Sequence, residues 1–218
     1  MFYRMIPALL ILLLTAEGHE VFASDDASSS ASPQEVEAQG NRHSPGFPDV
    51  AGFFKRLGTP ERAAGALSLS SCYDPNFKLS SVLASVSAWY DHGILWDQVR
   101  SGSKVFKLEG VAGAMVRPDV RGVASVNMMS MYYPAFAESD RFRPYIEAGI
   151  GAIYTDYRVE RQAYRFNFNP QLGIGTEVRQ EGGSSLFVAM RLHHISNGSL
   201  NHDNQGVNSL LFQIGRFF

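Results

Sequence analysis

A histidine, a serine and an asparagine near the end of the chain are spaced so that strand geometry would bring them together. Leu186, Val188, Met190 and Leu192 alternate along one face, and steps of two carry that face to His194 and Ser196. A following apolar run sets Asn208 on the face of Leu210, Phe212 and Ile214. A hairpin symmetric about residues 201 and 202 puts Asn208 opposite His194, where side chains on one face interact. Serine is a weak nucleophile until a neighbouring base takes its proton; neutral histidine is the usual base, and a third group holds the imidazole's tautomer. The trio suits acyl-ester hydrolysis, with Asn197, beside the serine, able to donate to the oxyanion. The shared face is otherwise apolar, so the ester would belong to a lipid.

Other residues of the stretch fit this chemistry less well. His193 is one residue out of phase and should point inward, as should Ser209. Ser199 lies deep in the loop, and His202 and Asp203 belong to its turn. His193, His194, His202 and Asp203 lack a rigid ligand spacing, so no metal is expected, and the ester chemistry needs no cofactor. A His-x-Ser spacing alone also describes ordinary loop polarity.

The elements that must position these residues are strands. Phe166, Phe168, Leu172, Ile174 and Val178 share one face, whereas Asn167, Asn169, Gln171, Gly173, Gly175 and Glu177 share the other. Ile146, Ala148, Ile150, Ala152 and Tyr154 alternate in the same way with Glu147, Gly149 and Gly151. A polar face rich in glycine and poor in lysine suits a narrow barrel interior, with the apolar face toward lipid. Strands are predicted at 63–71, 80–91, 103–117, 122–133, 143–159, 166–180, 185–195 and 207–218. The fold class is all-β, an eight-stranded antiparallel transmembrane barrel of the bacterial outer membrane; a soluble β-sandwich is the alternative. Trp89, Tyr90, Trp96, Tyr132, Tyr133, Tyr154 and Tyr157 sit near strand ends, where interface girdles belong. The terminal Phe218 is similar to the C-terminal signal of such barrels, which implies handling by the barrel assembly machinery, and Arg216 would snorkel to headgroups.

The 218 residues suit one domain, with 45% hydrophobic and 18% charged residues. A net charge of -2 gives no electrostatic case for nucleic acid, and the single Cys72 excludes an intrachain disulfide. Residues 1–23 read as a secretory signal: Arg4, an apolar core from Met5 to Thr15, then Val21-Phe22-Ala23 before Ser24. The apolar core is about a dozen residues, short of the roughly 20 of a spanning helix. Residues 24–60 read as a disordered or irregular periplasmic leader, with a short helix around Pro60-Glu61-Arg62-Ala63, and 61–218 as the barrel. With a periplasmic amino terminus, the outward tips carry Arg117, Arg121, Arg158, Arg161 and Arg165, suited to lipid phosphate. The opposite tips hold Asp91, Asp97, Glu138, Asp140 and Glu181.

Through His193-His194-Ile195-Ser196-Asn197-Gly198 and Asn204-Gln205-Gly206-Val207-Asn208-Ser209, the chain resembles the outer-membrane lipid A 3-O-deacylase (PagL-type) family. The runs from Arg143 to Gly151 and from Gln171 to Gly175 extend the likeness over about the C-terminal half. The resemblance implies removal of the ester-linked acyl chain at position 3 of lipid A, with lipopolysaccharide and outer-membrane lipids as partners. It carries the general base onto His194 and the nucleophile onto Ser196, with Asn197 and Asn204 aiding the oxyanion or shaping the loop. At Asn208 the family pattern has a glutamate, and an amide orients the imidazole without charging its partner. Phospholipase activity, a non-catalytic structural or adhesion barrel, and a homodimeric state remain open.

Overall fold

The computed structural model describes residue 55 and residues 57–74, 78–91, 103–181, 183 and 185–218. The expected signal, most of the leader, Trp96 and Asp97 lie outside the described residues. The strands are β1 Arg62–Cys72, β2 Ser80–Asp91, β3 Lys104–Arg117, β4 Arg121–Tyr132, β5 Phe142–Thr155, β6 Phe166–Phe168, β7 Gln171–Arg179, β8 Ser185–Ile195 and β9 Val207–Phe217. Neighbours are antiparallel and β1 pairs with both β2 and β9, so the sheet closes on itself. β6 and β7 share one register against β5, with Ala152 opposite Phe168 and Gly149 opposite Gln171. Pro170 has no N–H to give the ladder and separates them, so they are halves of one stave. The result is an eight-stranded antiparallel barrel, the fold that the alternation predicts.

Closure matters because hydrocarbon offers no partner to an open strand edge. The outer wall exposes an apolar belt that includes Leu67, Val86, Val126, Ile174, Met190 and Phe212. Side chains of opposite parity fill the lumen in three layers. Near the start of β1 and the end of β9, Trp89, Tyr133, Tyr145, Phe187 and Phe217 pack as an aromatic floor, beside an Arg62–Glu177 ion pair at 2.7 Å. At mid-height Arg191 donates to Glu147 and Glu109, each at 2.7 Å, and to Gln213 at 2.8 Å, while Lys107 donates to Glu147 at 2.7 Å. Two cations face two carboxylates, which lets the charges be buried together. Above them Leu83, Met115, Val123, Ile153, Ile195, Val207 and Leu211 form an aliphatic layer. Gly173 makes the middle layer possible, since a Cβ there would stand 2.8 Å from Arg191 Cγ.

Three expectations are corrected. Arg62 and Ala63 open β1 instead of a helix; the local helical turn lies earlier, with Gly58 N–H donating to Lys55 at 3.2 Å. Two-sided pairing of β1 outweighs local propensity. Trp89 and Tyr133, expected in a girdle, are buried in the lumen because their parity points inward, and Tyr90 is covered by the segment at Leu57, whose carbonyl accepts its hydroxyl at 2.8 Å. β5 ends at Thr155, not at residue 159, because the chain then turns toward the loop joining β8 and β9.

Candidate active site

β8 and β9 pair antiparallel with His194 opposite Asn208, and His194 Nδ1 lies 2.6 Å from Asn208 Oδ1. An amide oxygen only accepts, so Nδ1 carries the proton and Nε2 is the basic nitrogen of the ring. Ser196 follows two residues on, where a bridge to Phe168 prolongs β8. Phe168 N–H donates to the Ser196 carbonyl at 2.8 Å, and Ser196 N–H to the Phe168 carbonyl at 3.0 Å. This places the serine on the outer face, beside the half-exposed Phe168. Ser196 is only 3% exposed, so it is more enclosed than an open lipid-facing position would be.

The loop between β8 and β9 is held by its asparagines. Asn197 N–H donates to Asn204 Oδ1 at 2.8 Å, and Asn197 Nδ2 to the Asp203 carbonyl at 3.0 Å. The second loop, residues 156–165, is stitched to it: Gln162 bridges Asn204, Ala163 N–H donates to Asp203, and Gln205 N–H donates to Arg161, the last two at 2.9 Å. Asn197 is thereby engaged in shaping the loop through both its main-chain and its side-chain N–H, and the Ser196 N–H is taken by Phe168, whereas Asn204 is fixed in place through its Oδ1.

Gly206 has no reactive side chain, so residue chemistry alone does not single it out. A Cβ at 206 would lie 2.6 Å from His194 Cε1, so only glycine lets the chain pass over the imidazole. Its signal in the sequence is a glycine two residues before Asn208, readable only once the hairpin register is known.

His193 points into the lumen, with Nδ1 3.3 Å from Ser209 Oγ and Nε2 3.3 Å from Asn169 Nδ2. His202 and Ser199 lie in the exposed turn. Among the described residues, no group of three or more His, Cys, Asp or Glu is placed to hold a metal.

Four of the five tip arginines, Arg121, Arg158, Arg161 and Arg165, line one open cavity of about 620 Å³; Arg117 stands outside it. They do not make a purely cationic patch. Asp119, Asp156, Glu160 and Asp203 line the same cavity, and Arg165 pairs with Asp156 at 3.1 Å. Beside them, burial pushes the Tyr157 phenol up to about 12, so it stays a neutral donor.

The crystal structure of the outer-membrane enzyme PagL aligns at 21% identity over 70% of this chain and 97% of that one, with a TM-score of 0.48. Neisserial surface protein A aligns at 14% identity over 72% and 93%, with a TM-score of 0.50, which supports the barrel fold. The N-terminal barrel domain of Pseudomonas aeruginosa OprF aligns at 12% identity over 73% and 98%, with a TM-score of 0.44. No curated protein sequence matches the chain. The model of the lipid A 3-O-deacylase (PagL) family matches residues 84–216, well over half of the chain, from the lower part of β2 almost to the end of β9. The chain therefore belongs to the lipid A 3-O-deacylase (PagL) family.

Proposed function

We propose that the protein hydrolyses the ester-linked acyl chain at position 3 of lipid A, in the outer leaflet, with Ser196 as nucleophile. The carrying observation is the 2.6 Å contact between His194 Nδ1 and Asn208 Oδ1, with the serine two residues along the same outward face. In this reading the end of the barrel where β8 meets β9 faces the cell surface, and residues 1–23 direct export. The family match supports the reaction class, and the apolar belt supports delivery of the ester along the wall.

Ser196 Oγ attacks the ester carbonyl while its proton passes to His194 Nε2, and Asn208 keeps Nδ1–H oriented. Asn204, whose Oδ1 is fixed by Asn197 N–H, is the side chain we assign to support the oxyanion. Collapse of the tetrahedral intermediate breaks the ester C–O bond; the sugar oxygen leaves with the proton from His194, and the acyl group stays on Ser196. Water then attacks that ester, giving its proton to His194. Fatty acid departs as Ser196 regains its proton.

Mass spectrometry of lipid A from cells expressing the protein tests this. One hydroxyacyl chain should be lost, and Ser196→Ala and His194→Ala should each restore the full complement. Unchanged lipid A with a properly inserted barrel favours a non-catalytic protein, whereas release of fatty acids from glycerophospholipids indicates a phospholipase.

A further inference from the structure

The mixed-charge cavity contains a group that the reaction does not use. Gln162 lines it and is 5% exposed, and neither Nε2 nor Oε1 of its carboxamide has a hydrogen-bond partner. Leaving a buried amide with both its donor and its acceptor unengaged is unfavourable, so the group is poised for a partner that offers both. The four arginines are matched by four carboxylates, so the cavity as a whole is not tuned to a bare anion. A sugar phosphate fits better: arginines take the phosphate, and carboxylates, the Tyr157 hydroxyl and the Gln162 amide take ring hydroxyls and amides. The position fits too, because the cavity wall and the active-site loop share backbone pairing at Gln162–Asn204 and Ala163–Asp203. Arg161, on the cavity rim, holds a left-handed backbone conformation at φ 59° while its carbonyl accepts from Gln205 of that loop.

We propose that this cavity seats the phosphorylated, hydroxyl-rich sugar end of a lipid, with Gln162 as its recognition residue. The assignment of that lipid as the molecule cleaved at Ser196 rests on the function proposed above; binding to the cavity does not. The test is equilibrium binding to the detergent-solubilised full chain by calorimetry. The probes are the water-soluble, fully deacylated glucosamine disaccharide bisphosphate, its dephosphorylated form, inorganic phosphate, and intact lipid A.

The bisphosphate should bind, and Gln162→Leu should weaken it about tenfold, as loss of a buried polar recognition contact does. Because leucine removes an unengaged buried amide at similar volume, the variant should melt no lower than the parent. Inorganic phosphate should compete poorly, and the dephosphorylated sugar should bind more weakly than the bisphosphate. Four results overturn the proposal: no binding of the bisphosphate, unchanged affinity in Gln162→Leu, phosphate competing as well as the sugar, or failure of Gln162→Leu to assemble, which would show the amide engaged in the fold. A parallel tenfold loss with intact lipid A supports the lipid's own head as the occupant, whereas an effect confined to the soluble sugar also overturns the proposal, because the occupant is then a free sugar phosphate. Headgroup binding without hydrolysis would sink the deacylase reading and leave this subsite standing.

Discussion

His193 and His194 are consecutive residues, and each has a serine and an asparagine nearby. The inner histidine meets Ser209 and Asn169 at 3.3 Å, beside a lumen cavity of about 40 Å³, room for ordered water but not for an ester. The outer histidine is fixed by Asn208 at 2.6 Å on the face that carries the apolar belt. Nearly the same residue types thus yield packing on one side of the wall and a candidate active site on the other. Strand parity and access separate them, not composition.

The sharpest way to break that contrast is a pair of serine variants. Ser196→Ala should lower lipid A hydrolysis by on the order of 10⁶-fold, the scale of losing a nucleophile. Ser209→Ala should leave the rate close to the parent's, because its hydroxyl faces the closed lumen. Single-turnover rates on purified lipid A measure both. The reverse ranking would place the chemistry inside the barrel and end the present assignment.

The next largest effect separates stability from chemistry. Arg191 is in phase with His193 and holds Glu109 and Glu147, both fully buried. Arg191→Met should destabilise the barrel by about 3–5 kcal/mol, since it strands buried carboxylates without their partner. Denaturant unfolding in detergent reads this, and the rate per folded molecule should change little. Adding Glu109→Gln and Glu147→Gln should recover much of the loss.

This contrast shows what the sequence discloses. Alternation assigns His194, Ser196 and Asn208 to one face and His193 and Ser209 to the other, because period-2 parity is local. The same parity points Trp89 and Tyr133 inward, yet their aromatic character near strand ends suggests a girdle; the lumen floor that receives them is assembled from distant strands. Arg191 reaches Glu109 across 82 residues and Arg62 reaches Glu177 across 115, and no local pattern encodes such pairings. The stitching of residues 156–165 to the loop between β8 and β9 is equally silent, which is why β5 reads too long and no local pattern marks Gln162. The tip arginines are legible as a group, but the carboxylates that share their cavity are recognised only when the loops converge.

Gly206 sharpens the outer side of the comparison. A methyl group at 206 would collide with the imidazole of His194, not with the barrel wall. Gly206→Ala should therefore cost about 10²-fold in kcat, the scale of a displacement near 1 Å at a reacting group. Heat-modified gel mobility should remain that of a folded barrel. A normal rate would mean that His194 does not need the observed ring position.

The smallest effect tests the departure at position 208. The Asn208 oxygen already selects the Nδ1–H tautomer of His194, so the substitution has no misoriented imidazole to repair. What the amide lacks is negative charge facing the imidazolium that the proposed reaction forms when Ser196 gives up its proton. Asn208→Glu supplies it through a charge-assisted hydrogen bond, roughly twice as strong as a neutral one, and kcat should rise about tenfold with KM little changed. The gain stays far below the roughly 10⁴-fold lost when an amide imposes the wrong tautomer, because here the tautomer is retained. The matching change on the inner side, Asn169→Asp, should leave the rate alone and lower stability, since it adds a charge to a sealed lumen. If Asn208→Glu gives no gain, asparagine suffices as the orienting group; if Asn169→Asp also speeds hydrolysis, the two sides of the wall are coupled, and parity no longer separates packing from chemistry.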